Sequence, residues 1–220
     1  MSGDKLTPLQ RRILRVLASL QPPWTLTGGG ALAGIHLGHR ETRDLDLFWR
    51  NRPDLGFSVR DAESALRADG LEVRGLRTAP TFAELRVGDG QQVCMVDLVA
   101  EPFGPVEPPQ RAEVLGASVA VDTAHEILVS KLAALLSRSE LRDLVDVKAL
   151  LEAGGDLDRA LRDAPRKDAG FSPLTLAWVL KGFAPATLAR ALGLGPTETE
   201  EITAFHRQLQ ERIAAAAAPE

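Results

Sequence analysis

Tyrosine is absent from the 220-residue chain, and cysteine occurs once. No stretch approaches the ~20 consecutive apolar residues that a membrane-crossing helix needs. A lone cysteine excludes an internal disulfide framework. Cys94 stands in the apolar run Val93–Cys94–Met95–Val96, where a small core residue is expected rather than a nucleophile. Met1–Lys5 lacks the apolar run of a signal peptide, so a cytoplasmic protein with no membrane association is expected. Large net charge is also missing: at −4 there is no global pull toward nucleic acid or an anionic membrane. Any bound polynucleotide would have to be held by local basic patches. The missing tyrosine and the abundance of Arg, Ala, Leu and Gly read as compositional bias of the source. The balance of 45% hydrophobic and 25% charged residues is that of a globular chain, long enough for one large domain or two small ones.

The pattern along the chain predicts an α/β (α+β) fold. A small mixed β-sheet core over residues 1–122 is followed by a helical C-terminal domain over 123–220. Thr7 before Pro8 is a helix start, with Ile13, Val16, Leu17 and Leu20 on one face and Pro22–Pro23 as the stop. Trp24–Leu26 reads as a short strand and Ala31–Leu37 as a helix. Asp44–Trp49 alternates as a strand, with Leu45 and Leu47 on one face and Asp44, Asp46 and Phe48 on the other. A helix at 61–68 and a strand at 71–76 precede two strands, 82–87 and 91–99, joined by the hairpin signal Gly88–Asp89–Gly90. Pro102–Pro109 reads as a surface connection, and Ser118–Val121 as one further strand. Helices are expected at 123–136, 139–151 with a Ser139 cap, 157–162, 173–182, 185–192 and 197–215, before a fraying end at Ala214–Ala218.

The densest chemistry lies in Thr27–Leu32, His39–Arg40 and Arg43–Phe48. Glycines between a strand and a helix let the backbone approach a ligand and present N–H groups to a phosphate chain, although a tight turn alone needs the same residues. Asp44 and Asp46 are two apart in an extended segment and so share a face. Adjacent carboxylates repel, and a hard divalent cation offsets that repulsion. A solvated edge strand would tolerate them as well. Asp97 interrupts the strand Val93–Val99 on the face of Val93, Met95 and Val99, where a carboxylate needs a cation or a metal. It is a third candidate for metal binding or for accepting a proton, with an arginine partner as the plain alternative. Glu84 on the neighbouring strand is a weaker substitute.

Together, the runs Leu26–Ala33, Leu37–Arg40 and Arg43–Phe48 closely resemble the AbiEii-type nucleotidyltransferases. These are toxin components of type IV toxin–antitoxin and abortive-infection systems, within the DNA polymerase β-like superfamily. The resemblance continues through Val96–Asp97–Leu98, Lys131–Leu135, Arg138 and Arg142–Asp146, spanning about residues 24–151. It implies that Gly28 and Gly29 form the family's glycine turn and that Asp44 and Asp46 form its metal-binding pair. It implies that Lys131 contacts nucleotide phosphates and that Asp146 closes the family's Arg-Asp-x-x-Asp motif. Gly30 departs from the pattern, since family members usually carry Ser or Thr there; only its backbone N–H is left for a phosphate. Asp97 matches more loosely.

Without the resemblance, the helical motifs read as surface features. Arg142 and Asp146 have ordinary i,i+4 salt-bridge spacing, and Lys131 fits a solvated helix position. Arg40 and Arg43 flank the Asp pair and could neutralise it or contact a triphosphate. With Arg50 and Arg52 they form the only hint of a nucleic-acid patch. His36 reads as a helix-face residue and His39 as loop. The expected activity is transfer of NMP from an NTP to an acceptor hydroxyl, with Mg2+ (or Mn2+) as cofactor and the helical domain completing the nucleotide cleft. The resemblance implies RNA, at the tRNA 3′ end, as acceptor and a cognate antitoxin as partner. The rivals are the same chemistry on a protein or small-molecule acceptor, and a non-catalytic nucleotide-binding regulatory domain. A glycosyltransferase using Asp-x-Asp would leave the glycine turn unexplained.

Overall fold

A computed structural model of the chain describes residues 5–217. The chain divides after Thr123 into two compact units. In the first, helix α1 (Pro8–Leu17) opens with a capping box in which Thr7 and Gln10 satisfy each other's backbone N–H groups. Its apolar stripe, Leu9, Ile13, Leu14 and Leu17, is buried. Then follow β1 (Thr25–Thr27), α2 (Gly28–Ala31), β2 (Asp44–Arg50), α3 (Ser58–Ala68), β3 (Glu72–Ala79), β4 (Phe82–Gly88), β5 (Val93–Glu101), β6 (Gln110–Val114) and β7 (Ala117–Val121). The strands form one mixed sheet in the order β3-β4-β5-β2-β1-β7-β6, which places β2 at its centre. β2 runs parallel to β5 and antiparallel to β1.

Alternation is clean on the central strands. Leu45, Leu47 and Trp49 of β2 and Cys94, Val96 and Leu98 of β5 are buried, while the intervening residues are half-buried or exposed. Burial pushes the Cys94 thiol up to about 12, consistent with a core residue and not a nucleophile. The hairpin turn after β4 is locked by the Asp89 carboxylate, which accepts the N–H groups of Gln91 and Gln92. β6, unseen in the sequence, holds Gln110, Arg111 and Glu113 on an edge strand with only Val114 buried, so it has no apolar run to reveal it. The glycine helix also differs from expectation. It starts on Gly28 itself and runs on as a π-turn through Leu32–His36.

The second unit is helical: α4 (Ala124–Ser137), α5 (Leu141–Glu152), α6 (Leu157–Asp163), α7 (Pro173–Gly182), α8 (Pro185–Ala191) and α9 (Pro196–Ala216). Ser139 does not cap α5; it sits at φ 50° and its hydroxyl donates to the Leu135 carbonyl, while Glu140 takes the cap position. The alanine-rich end is helical to Ala216; Ala218, like Met1–Asp4, lies outside the described residues. Among the described residues, no helix is long and apolar enough to cross a membrane.

Arg50, grouped from the sequence with surface arginines, is instead buried at the end of β2. Its guanidinium lies over the Phe48 ring and is ion-paired with Glu101 and with the fully buried Asp122 at 2.5 Å. A cation between two carboxylates in a low-dielectric position stabilises only as a set. Arg50→Met should therefore cost about 3–5 kcal/mol in urea unfolding with an unchanged m value. A loss below about 1 kcal/mol would class the pair with exposed salt bridges.

Candidate active site

The centre of the site is a close approach between backbone and carboxylate. Gly28 has φ +59°, a conformation that side chains rarely adopt, and a Cβ placed on it would overlap Asp46 Oδ2. The turn therefore lies directly on the Asp46 carboxylate. Strand register builds the rest of the row: Thr27 on β1 faces Asp46 on β2, Asp46 faces Asp97 on β5, and Asp97 faces Glu84 on β4. Asp44, Asp46 and Asp97 all fall on the half-buried face of the sheet. Asp97 thus does not break an apolar face, as its flanking Val93, Met95 and Val99 suggested; those residues share the open face and the apolar residues are the alternate ones. Glu84 is engaged by Arg77 at 2.8 Å. Among the described residues, no three His, Cys, Asp or Glu side chains converge on one point as a ready metal cage.

The two remaining glycines have different reasons. A Cβ on Gly29 would stand 3.0 Å from Thr42 Oγ1 and 3.1 Å from an Arg40 guanidinium nitrogen, so Arg40 and Thr42 pack onto the turn. Thr42 is buried, donates its hydroxyl to Asp44 Oδ1 at 2.5 Å, and accepts from Gln10 Nε2 through its carbonyl at 3.0 Å. Gly30 points the other way. A Cβ there would meet Leu45 Cδ2 at 3.0 Å and Leu26 Cδ1 at 3.2 Å, inside the core. A side chain at position 30 would crowd that leucine contact, with the Asp44 carbonyl 3.7 Å from its Cβ. Thr42 and Gln10 escaped the sequence reading because one lies in an irregular loop and the other in a distant helix. His36 donates its Nε2–H to the Asp122 carbonyl, 2.7 Å away.

In the helical unit, Lys131 of α4 and Asp146 of α5 are brought together. The Lys131 ammonium lies 2.8 Å from Asp143 Oδ1 and 2.8 Å from Asp146 Oδ2; its side chain is 9% exposed and both carboxylates are fully buried. Arg138 closes the cluster, donating to both oxygens of Asp143 at 2.8 and 2.9 Å. This corrects the surface reading of Lys131 and Asp146 from spacing alone. Arg142 pairs with Glu140 at 2.6 Å. Asp143, the unassigned member of the motif, is the hub. Burial would lower the Lys131 pKa, but the charges of Asp146 and Asp143 outweigh it and the value is raised. Burial would likewise raise Asp143, and the Arg138 hydrogen bonds and Lys131 charge bring it below the usual carboxylate range.

The signs give a pH window. The raised Lys131 contributes stability below its unfolded value near ~10.4, lost as pH rises through the folded value. The depressed Asp143 contributes above its unfolded value near ~3.9, lost as pH falls through the folded value. Lys131→Met should cost about 3–5 kcal/mol at neutral pH, since the two buried carboxylates lose their shared cation. Asp143→Asn should flatten the acid limb of the stability profile followed by circular dichroism. An unchanged acid limb would show that Asp143 titrates alike in the folded and unfolded chain.

No curated protein matches the chain in sequence. Among solved structures, an H. pylori protein described as a nucleotidyltransferase superposes with a TM-score of 0.54 at 18% identity, covering 94% of this chain and 94% of that one. JHP933 from Helicobacter pylori superposes at 0.51 and 18% identity, covering 95% and 92%. At such identity the likeness is one of fold. The model of the nucleotidyl transferase AbiEii toxin family, Type IV toxin–antitoxin system, matches residues 12–217. With nearly the whole chain matched, the protein belongs to the AbiEii nucleotidyltransferase toxin family and is a nucleotidyltransferase.

Proposed function

We propose that this chain transfers NMP from an NTP to the terminal hydroxyl of an RNA, the 3′ end of tRNA, using Mg2+ held by Asp44 and Asp46. The observation that carries the reading is the stacking of the Gly28–Gly29 turn on the Asp46 carboxylate, with Asp97 register-paired beside it. A phosphate chain on the turn and a cation on the carboxylates would then be neighbours. The donor set suits the ion: two carboxylates on an open sheet face, one oriented by Thr42, match the one or two that Mg2+ takes alongside substrate phosphates. Bound there, Mg2+ would neutralise phosphate charge and favour departure of pyrophosphate.

In this reading, backbone N–H groups of the turn and the Arg40 guanidinium hold phosphate oxygens. The acceptor hydroxyl oxygen forms a bond to the α-phosphorus, the bond to the bridging oxygen of pyrophosphate breaks, and the hydroxyl proton passes to Asp97. Positioning supplies much of the rate. Lys131, held by Asp143 and Asp146 within the helical unit, keeps in this reading the phosphate-contacting role that family membership supports. The family's place in Type IV systems supports a cognate antitoxin as partner.

Each α-labelled NTP, with Mg2+ and a total tRNA pool, tests the reaction. Wild type should label tRNA from one preferred nucleotide, and Asp46→Ala should abolish labelling while keeping its unfolding midpoint. Full activity in Asp46→Ala would overturn the site. Absence of label on tRNA, with label appearing on protein or a small-molecule hydroxyl, would overturn the RNA acceptor alone.

A further inference from the structure

Thr42 does more than close a loop. Its hydroxyl carries a single hydrogen, and two oxygens of Asp44 compete for it: Oδ1 at 2.5 Å and the backbone carbonyl at 3.3 Å. The shorter contact takes the proton, so the bond fixes the rotation of the Asp44 carboxylate. Thr42 is in turn buried and immobilised from two sides. The Gln10 amide, itself buried and tied into the α1 capping box, donates to the Thr42 carbonyl at 3.0 Å. From the other side Gly29 lies so close that a methyl there would sit 3.0 Å from the Thr42 oxygen. Helix α1, the glycine turn and the Asp44 end of β2 are thereby linked through one residue, by its carbonyl on one side and its hydroxyl on the other.

We infer that Thr42 is a positioning residue for the divalent cation, presetting the Asp44 carboxylate through the relay Gln10–Thr42–Asp44; this rests on the Mg2+ reading above. A carboxylate free to rotate must be ordered when the cation arrives, and the hydroxyl removes that cost beforehand. The role needs the hydroxyl, not the shape of the side chain. Valine keeps the shape and loses the donor, whereas serine keeps the donor.

The test uses the full chain and Mn2+ as probe, followed through the electron paramagnetic resonance of the free ion, beside the Mg2+ half-saturation of nucleotidyl transfer. Wild type should bind Mn2+ saturably and Asp46→Asn should not. Thr42→Val should bind roughly 10-fold more weakly, the scale typical of lost outer-sphere hydrogen bonds, with the Mg2+ half-saturation moving in parallel and Thr42→Ser staying near wild type. Gly29→Ala, which keeps the hydroxyl but crowds it, should weaken Mn2+ in the same direction and serves if Thr42→Val does not fold. Thr42→Val or Gly29→Ala binding within about twofold of wild type, while Asp46→Asn is defective, would overturn the positioning role and leave the metal site standing. Equal, unsaturable Mn2+ behaviour of wild type and Asp46→Asn would overturn the metal reading and this inference with it.

Discussion

The contact between the Gly28 α-carbon and the Asp46 carboxylate is the constraint on which the first unit is organised. No side chain fits between them, and the positive φ at Gly28 is what turns the chain from β1 into the helix at that point. The strand that follows must then run antiparallel beside β1 in the register that brings Asp46 opposite Thr27. From there β5 is added in parallel, and its own alternation delivers Asp97 to the same face. Leu45, Leu47 and Trp49 of β2 and Cys94, Val96 and Leu98 of β5 are left on the opposite side, buried as Leu26 and Leu32 are. Core formation and carboxylate clustering are thus one event, not two.

The helical unit also sets carboxylates side by side and pairs them with its own ammonium group. Asp143 and Asp146 are three apart on α5, hence neighbours on one face, and both are fully buried. Two anions so placed would repel, and Lys131 from α4 supplies the cation at 2.8 Å from each. Such a cluster adds little net stability relative to an apolar core, but it tolerates few alternative pairings. Lys167 beneath Glu126 repeats the device at 2.5 Å elsewhere on α4. Helix α4 is therefore fixed in rotation by two buried carboxylate–ammonium contacts along its length.

Much of this was legible in residue order. The alternation in Asp44–Trp49, the hairpin at Gly88–Gly90 and the Thr7–Pro8 helix start are local patterns, and local patterns carried the mixed sheet and the helical end. The likeness to the family was readable for the same reason, since its motifs are short and contiguous. What stayed hidden depends on distance in sequence. Gln10 meets Thr42 across 32 positions, and Arg50 meets Asp122 across 72. Asp143 gave no sign of being a hub, because spacing along a helix shows which face a residue occupies but not which helix covers that face. The edge strand β6 was lost because exposure on both faces erases the period-2 signal.

The parallel pairing of β2 and β5 carries a further consequence. Asp97 is brought beside Asp46 by the strand register, Asp44↔Met95 through Arg50↔Glu101, held over seven consecutive pairs. Side chains on a strand alternate, so a shift of a single step would place Val96 or Leu98 beside Asp46 and send Asp97 into the apolar layer. This register does not involve the Pro102–Pro109 connection, which lies beyond both strands. It is brittle to the gain or loss of one residue within the strands themselves. Along these two strands length is constrained as tightly as the identity of Asp44, Asp46 and Asp97.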